Sequence, residues 1–235
     1  MQLSIRDLTK LLNATENTVL RWIKHLSLPV HHVAGQYRVN RAELLEWATA
    51  NNVQVSLELF DSLEADAESI PSLADALEIG GIYYALKGSN KELVLREMVQ
   101  LLPLPDAVDR QLLLRLFLAR EASASTGIGK GIAIPHVRNP IVLNVSQPTV
   151  TLAFLTHPID FGALDHEPVH VLFSIISPTN RSHLQLLSRL AFSLHDEKFR
   201  ETITNHGPRE EIMLGIRRVE AGMSASTDKT GKAAH

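Results

Sequence analysis

The chain has 235 residues, with 23 basic against 26 acidic side chains, a formal net charge of −3, and 45% apolar and 21% charged residues. That size and balance suit one large or two modest folded domains and exclude a disordered or fibrous chain. The absence of cysteine excludes disulfides and thiolate metal sites and fits the reducing cytoplasm, while the slight negative charge leaves nucleic-acid contact to a local patch.

No run of about eighteen apolar residues occurs, and Met1-Gln2-Leu3-Ser4 opens no apolar signal core, so neither a membrane segment nor export is expected. Ser4 is placed as the N-cap of a first helix whose Ile5, Leu8, Leu11 and Leu12 form one stripe and which ends near Asn13. Thr15 caps a second helix, with Val19, Trp22, Ile23 and Leu26 at i, i+3, i+4, i+7 facing the same core. Two strands, Val30–Val33 and Tyr37–Val39, flank a turn at Ala34-Gly35-Gln36, and Asn40 to Glu43 reads as a capping box opening a third helix. Two helices on a short turn, a β-wing and a closing helix make a winged helix-turn-helix over residues 1–50.

The wording of this segment (Thr-x-x-Thr-Val-x-Arg-Trp-Ile, Leu-Pro, Tyr-Arg-Val, Leu-Leu-Glu-Trp) resembles the excisionase/MerR-like DNA-binding family. The resemblance implies that the second helix enters the major groove. Asn17, Thr18 and Arg21 then read bases or phosphates, and Lys24, Tyr37 and Arg38 meet the backbone. Six basic residues against four acidic ones in 1–50 support only a few phosphate contacts and weak, salt-sensitive binding. The wing carries His31 and His32 instead of Lys or Arg, so a scaffold for protein contact stays open beside DNA.

Residues 51–71 contain Glu58, Asp61, Glu64, Asp66 and Glu68 without a basic residue and read as an acidic linker. From Ser72 to residue 220 a second domain is expected. It comprises a short helix at 73–77, a strand Ile82–Leu86, a helix from Lys91 to Leu102 capped by Ser89 with Leu93, Val94, Glu97 and Leu101 in register, and a leucine-rich helix from Asp109 ending at Arg120. After a glycine-rich block come strands at Val150–Leu155 and Val169–Ile176, separated by a turn at 157–162. A long helix Arg181–His195 and a last one over Arg209–Val219 follow. Alternating helices and short buried strands predict an α/β layered domain, a mixed sheet flanked by helices. The Ser/Thr/Lys/Ala tail 221–235 is expected to be disordered.

The chemistry concentrates at Arg120 to Arg138. Gly127, Gly129 and Gly131 stand at every second position, Ser125 and Thr126 precede them, and Ile132-Ala133-Ile134 delivers Pro135-His136. Glycines allow the backbone to approach a ligand. An imidazole offers a nucleophilic nitrogen near neutral pH, and the flanking Arg120 and Arg138 with backbone N–H groups are suited to phosphate oxygens. A loop histidine beside a glycine-rich turn is the plain alternative. The block lacks the helix that follows a Walker-type or dinucleotide fingerprint.

Arg-Glu-x-x-x-Ser-Thr-Gly-Ile-Gly-x-Gly-Ile-Ala-Ile-Pro-His, with Pro158 to Phe173 and Ser177 to Ala191 downstream, resembles the enzyme IIA domains of the phosphoenolpyruvate-dependent phosphotransferase system, of the fructose, mannitol and nitrogen-regulatory type. The resemblance implies an enzyme IIA fold over 72–220. It further implies that His136 accepts a phosphoryl group on Nε2 from an HPr/NPr-like histidine phosphocarrier. His183, near a helix N-terminus, then stabilises the phosphate and Arg120 offsets its charge. Ser125, Thr126, Gly127, Gly129 and Arg138 contact the phosphate. Transfer between proteins requires that the His136 ring reach solvent. No cofactor is called for. His157, His166, His170, His195 and His206 read as ordinary surface or turn histidines, with no pair at metal-ligand spacing. A phosphorylatable regulatory IIA coupled to DNA or target proteins is the expected function. A regulator with a non-transferring IIA-like sensor and a sugar-uptake IIA are the alternatives.

Overall fold

The computed structural model describes residues 2–26, 28–33, 36–51, 53, 55–56, 72–137, 145–163 and 165–231. The chain divides into two compact units, Met1–Glu68 and Ser69–His235. The acidic stretch expected to link them falls, for residues 57–71, outside the described residues, as does Arg138.

In the first unit, β1 (Gln2–Leu3), α1 (Ile5–Leu11), α2 (Glu16–His25), β2 (His31–Val33), β3 (Gln36–Asn40) and α3 (Arg41–Ala50) follow one another. Ser4 caps α1 by accepting from the Asp7 amide, and Asp7 returns the bond by accepting from the Ser4 amide at 2.8 Å. Thr15 caps α2 in the same way through Thr18 N. The strands form an antiparallel sheet in the order β1-β3-β2. The two-residue β1, too short to carry a period in sequence, adds Leu3 to a core of Leu8, Leu11, Leu12, Val19, Leu28, Val39, Leu44, Leu45 and Trp47. Of the stripe expected on α2, Val19 is buried and Trp22 and Ile23 are half-buried. Leu26 is exposed, because it is the C-cap residue at the end of the helix. Its carbonyl accepts from Trp47 Nε1 at 2.7 Å, and the Trp22 and Trp47 rings meet at 5.4 Å.

The second unit contains α4 (Leu73–Gly80), β4 (Ile82–Leu86), α5 (Lys91–Leu101), α6 (Arg110–Ser123), β5 (Gly127–Gly129), β6 (Ile132–Ala133), β7 (Thr149–Ile159), β8 (Val169–Ile176), α7 (Asn180–His195), α8 (Glu197–Thr204) and α9 (Arg209–Gly231). Its mixed sheet runs β4-β7-β8-β6-β5, with β4‖β7 and β6‖β8 parallel and β7–β8 and β5–β6 antiparallel. Alternate residues of β7 face opposite layers. Val150, Leu152 and Phe154 pack with α4, α7, α8 and α9, while Ala153 and Leu155 pack with α5 and α6. Strands covered on both faces read in sequence as continuous apolar runs.

Several local expectations are corrected. Helix α5 is capped by Asn90, whose side chain accepts from Leu93 N at 2.9 Å, and not by Ser89. Its buried stripe is Val94, Leu95, Met98 and Val99, leaving Leu93 at the surface and Glu97 exposed. Helix α6 continues past Arg120 to Ser123. Strand β7 runs through the expected turn as far as Ile159, a register shift after Phe154 absorbing Pro158. Helix α9 continues to Gly231, where an unstructured tail from Ala221 was expected; residues 232–235 lie outside the described residues.

Candidate functional site

Strands β5 and β6 form a hairpin whose turn, Lys130-Gly131, has φ of +54° and +72°. Positive φ at both central positions is the mirror-image turn that matches strand twist. The glycines have a packing reason too. A Cβ on Gly127 would lie 2.8 Å from Ala163 Cβ, and one on Gly129 would lie 2.7 Å from Asp165 Oδ2. Asp165 Oδ2 also accepts from the Lys130 amide at 2.7 Å. The hairpin is therefore pressed against the segment leading into β8.

The hydroxyls before the hairpin are engaged. Ser125 Oγ donates to the Phe161 carbonyl at 2.7 Å and accepts from Gly127 N at 3.1 Å. Thr126 donates from both its amide and its hydroxyl to the buried Glu121 carboxylate, the hydroxyl at 2.6 Å. Lys91 Nζ completes that carboxylate at 3.0 Å and lies 4.9 Å from the Phe161 ring centroid. Glu121 and Asp165 were not singled out from sequence. The signal available for Glu121 was its place in the Arg-Glu pair that opens the motif.

Just beyond β6, His136 forms a parallel bridge to Ile175 of β8. Its Nδ1 lies 2.7 Å from the Ile134 carbonyl. A carbonyl only accepts, so Nδ1 holds the proton, and in the neutral ring Nε2 is left with the lone pair. His183 lies 5.2 Å away, centroid to centroid, with 43° between ring planes. It sits on the first turn of α7, whose N-cap Thr179 accepts from Ser182 N at 3.1 Å. The positive end of the helix dipole collects there. Arg120, on α6, donates from Nη1 to the Ala124 carbonyl at 2.8 Å and so holds the chain as it leaves the helix. The geometry thus brings His136 and His183 together and sets Ser125, Thr126 and Arg120 to bonds within the hairpin and its approach. One expectation fails: the His136 ring does not reach solvent, being 3% exposed, with His183 at 5% and Arg120 at 6%. The bridge to β8 seats it inside the layer that α7 covers.

In the first unit, Asn17, Arg21 and Lys24 stand exposed on α2, and Thr18 is spent partly on the cap, its hydroxyl 2.9 Å from that of Thr15. Tyr37 and Arg38 are half-buried on β3. His31 of the wing is tied to Glu43 of α3 at 2.8 Å.

The model of the phosphoenolpyruvate-dependent sugar phosphotransferase system EIIA 2 family matches residues 76–218, more than half of the chain. The chain belongs to that family. A helix-turn-helix domain model matches residues 3–52. Among relatives of the EIIA domain, a fructose-specific EIIA component of Haloferax volcanii is 43% identical over 106 residues, covering 44% of this chain and 67% of the relative. A nitrogen regulatory protein of Pseudomonas aeruginosa is 35% identical over 133 residues, covering 55% and 83%. The match to a fructose-specific EIIABC component of Bacillus subtilis, 36% over 131 residues, covers 54% of this chain and spans only 20% of that protein. The crystal structure of nitrogen regulatory protein IIA-Ntr from Neisseria meningitidis superposes with a TM-score of 0.54 at 28% identity, covering 61% of this chain and 98% of the other. Among the described residues no helix is long and apolar enough to cross a membrane.

Proposed function

We propose that this chain is a regulatory EIIA protein of the nitrogen-regulatory kind that accepts a phosphoryl group on His136 Nε2 from an HPr/NPr-like histidine phosphocarrier. The observation that carries the reading is the 2.7 Å bond from His136 Nδ1 to the Ile134 carbonyl. It holds the proton on Nδ1, so that in the neutral ring Nε2 is the nitrogen that carries the lone pair. As the Nε2–P bond forms, the N–P bond on the carrier's imidazole breaks, and no proton need leave Nε2. The protein's part is positioning and charge compensation. His183, at the head of α7, and Arg120 are assigned to the phosphoryl oxygens. Ser125, Thr126, Gly127 and Gly129 hold the hairpin that frames them, and Arg138 is assigned to the phosphate by its place after the motif. A ring 3% exposed meets no partner histidine in this conformation, so transfer requires the site to open. The nitrogen-regulatory relative, covered over 83% of its length, supports signalling. The helix-turn-helix unit, through Asn17, Thr18, Arg21, Lys24, Tyr37 and Arg38, couples the state of His136 to DNA.

Incubation with phosphoenolpyruvate, enzyme I and the phosphocarrier should give acid-labile, base-stable labelling that His136→Ala abolishes. Labelling that persists in the variant refutes the assignment. The burial of His136 favours one further reading, a sensor that never turns phosphate over. Absence of labelling in the wild-type chain with an active carrier would select it.

A further inference from the structure

Away from the His136 site, His170 Nδ1 and His206 Nε2 face each other at 3.2 Å, ring centroids 5.3 Å apart. His170 is fixed on β8, its amide donating to the Gly131 carbonyl at 2.8 Å. Its Nε2 is backed against Gly131, where a Cβ would come within 2.4 Å. His206 is fixed by the end of α8. His206 N donates to Ile203 O at 3.0 Å and Gly207 N to Thr202 O at 2.8 Å, the paired bonds of a Schellman motif with Asn205 as C-cap and His206 one residue beyond it.

That position takes the left-handed conformation, and His206 adopts it, at φ +54°. Glycine is the ordinary occupant there, and here the glycine comes one residue later. A strained backbone that a neighbouring glycine would have relieved points to a use for the side chain. The imidazole is held on its other side by Phe154, 4.7 Å away, against which Tyr84 stacks at 5.0 Å; Tyr84 itself donates to Gly207 O at 2.8 Å.

We propose that His170 and His206 form a two-imidazole chelate for a divalent transition metal of the zinc, copper or nickel class. Metal–imidazole bonds of about 2.0–2.1 Å place two ligand nitrogens roughly 2.9 Å apart at a right angle and about 3.4 Å apart at the tetrahedral angle. The observed 3.2 Å lies between. Imidazole is a suitable donor for these ions, with copper held most strongly. Without metal, one of the two nitrogens donates a hydrogen bond to the other; with metal, both present lone pairs, and the ring that donated keeps its proton on its other nitrogen. Among the described residues no group of three or more His, Asp or Glu side chains converges on a metal position, so water completes the coordination.

The test is titration of the full-length, untagged chain with Zn²⁺, followed by calorimetry and by the ring ¹⁵N shifts of its histidines. One equivalent should bind with shifts at His170 Nδ1 and His206 Nε2. His170→Ala and His206→Gly should each weaken binding at least tenfold, and the second places at a left-handed position the residue that position favours. Unmoved ring nitrogens at these two residues, or wild-type affinity in His206→Gly, would overturn the proposal.

Discussion

Arg120 and Glu121 are neighbours on α6 with different duties. Arg120 closes its own helix end onto Ala124. Glu121 is a buried carboxylate that gathers the Thr126 amide, the Thr126 hydroxyl and Lys91. Removing it orphans two buried donors and leaves a lysine without its partner. The expected cost of Glu121→Ala is about 3 kcal/mol, since breaking a buried pair is costlier than the pair's own net worth. In a domain of this size that corresponds to a fall of roughly 6–12 °C in melting temperature. A loss under about 1 kcal/mol would show that solvent reaches the carboxylate. The block around His136 stood out in sequence because its residues form a dense linear motif. Glu121 did not, because nothing in a linear pattern says which acidic residue of a helix is turned inward. The His170–His206 pair was passed over for a related reason: its partners are 36 residues apart, and the fold alone closes that distance.

Elements that present four or more apolar residues at a steady period, such as α7 and β8, were legible with their limits nearly correct. Helix α8 was missed because it buries only Phe199 and Ile203, one contact per turn over eight residues. The readable signal was Asp196, whose Oδ1 accepts from Phe199 N at 2.8 Å. Burial raises the Asp196 pKa, but the Phe199 amide and then Arg218 outweigh it and leave the value below the ordinary carboxylate range. A depressed folded-state pKa stabilises the fold above the unfolded value of about 3.9, and that contribution is lost as pH falls through the lower folded value. Asp196→Asn keeps a capping oxygen and removes the charge. The urea midpoint of the variant should lie below wild type at pH 7, and the gap should close as pH falls below the ordinary carboxylate range; a constant difference would assign the effect to packing. At the other end of the domain, Glu220 of α9 accepts from Ser72 Oγ, Leu73 N and Ala74 N and from Arg189 at 2.9 Å. One carboxylate thereby ties the head of α4 to the last helix, a long-range closure that no sequence period encodes.

At the scale of the whole molecule, a net charge of −3 means that DNA is not drawn to the protein by its overall field, and any attraction comes from the few cations of the first unit. Exposed Arg21 and Lys24 on α2 and Arg38 on β3 are the candidates, whereas His31 is tied to Glu43. Each phosphate contact releases about 0.9 of a counterion, so three contacts give a slope near −3 in log K against log salt. Fluorescence anisotropy of the full chain on a short duplex, from low to physiological salt, should return that shallow slope. Arg21→Ala should reduce it by about one if the guanidinium meets a phosphate, or leave it unchanged and relax sequence preference if it reads a base edge. Weak binding that ignores salt in both proteins would remove DNA as the partner and leave α2 as a surface for another protein. The outcome also bears on His136. If His136 is phosphorylated as proposed, the added charge of about two negative units should weaken any DNA affinity that rests on so few cations, and the same anisotropy titration on the phosphorylated chain checks it.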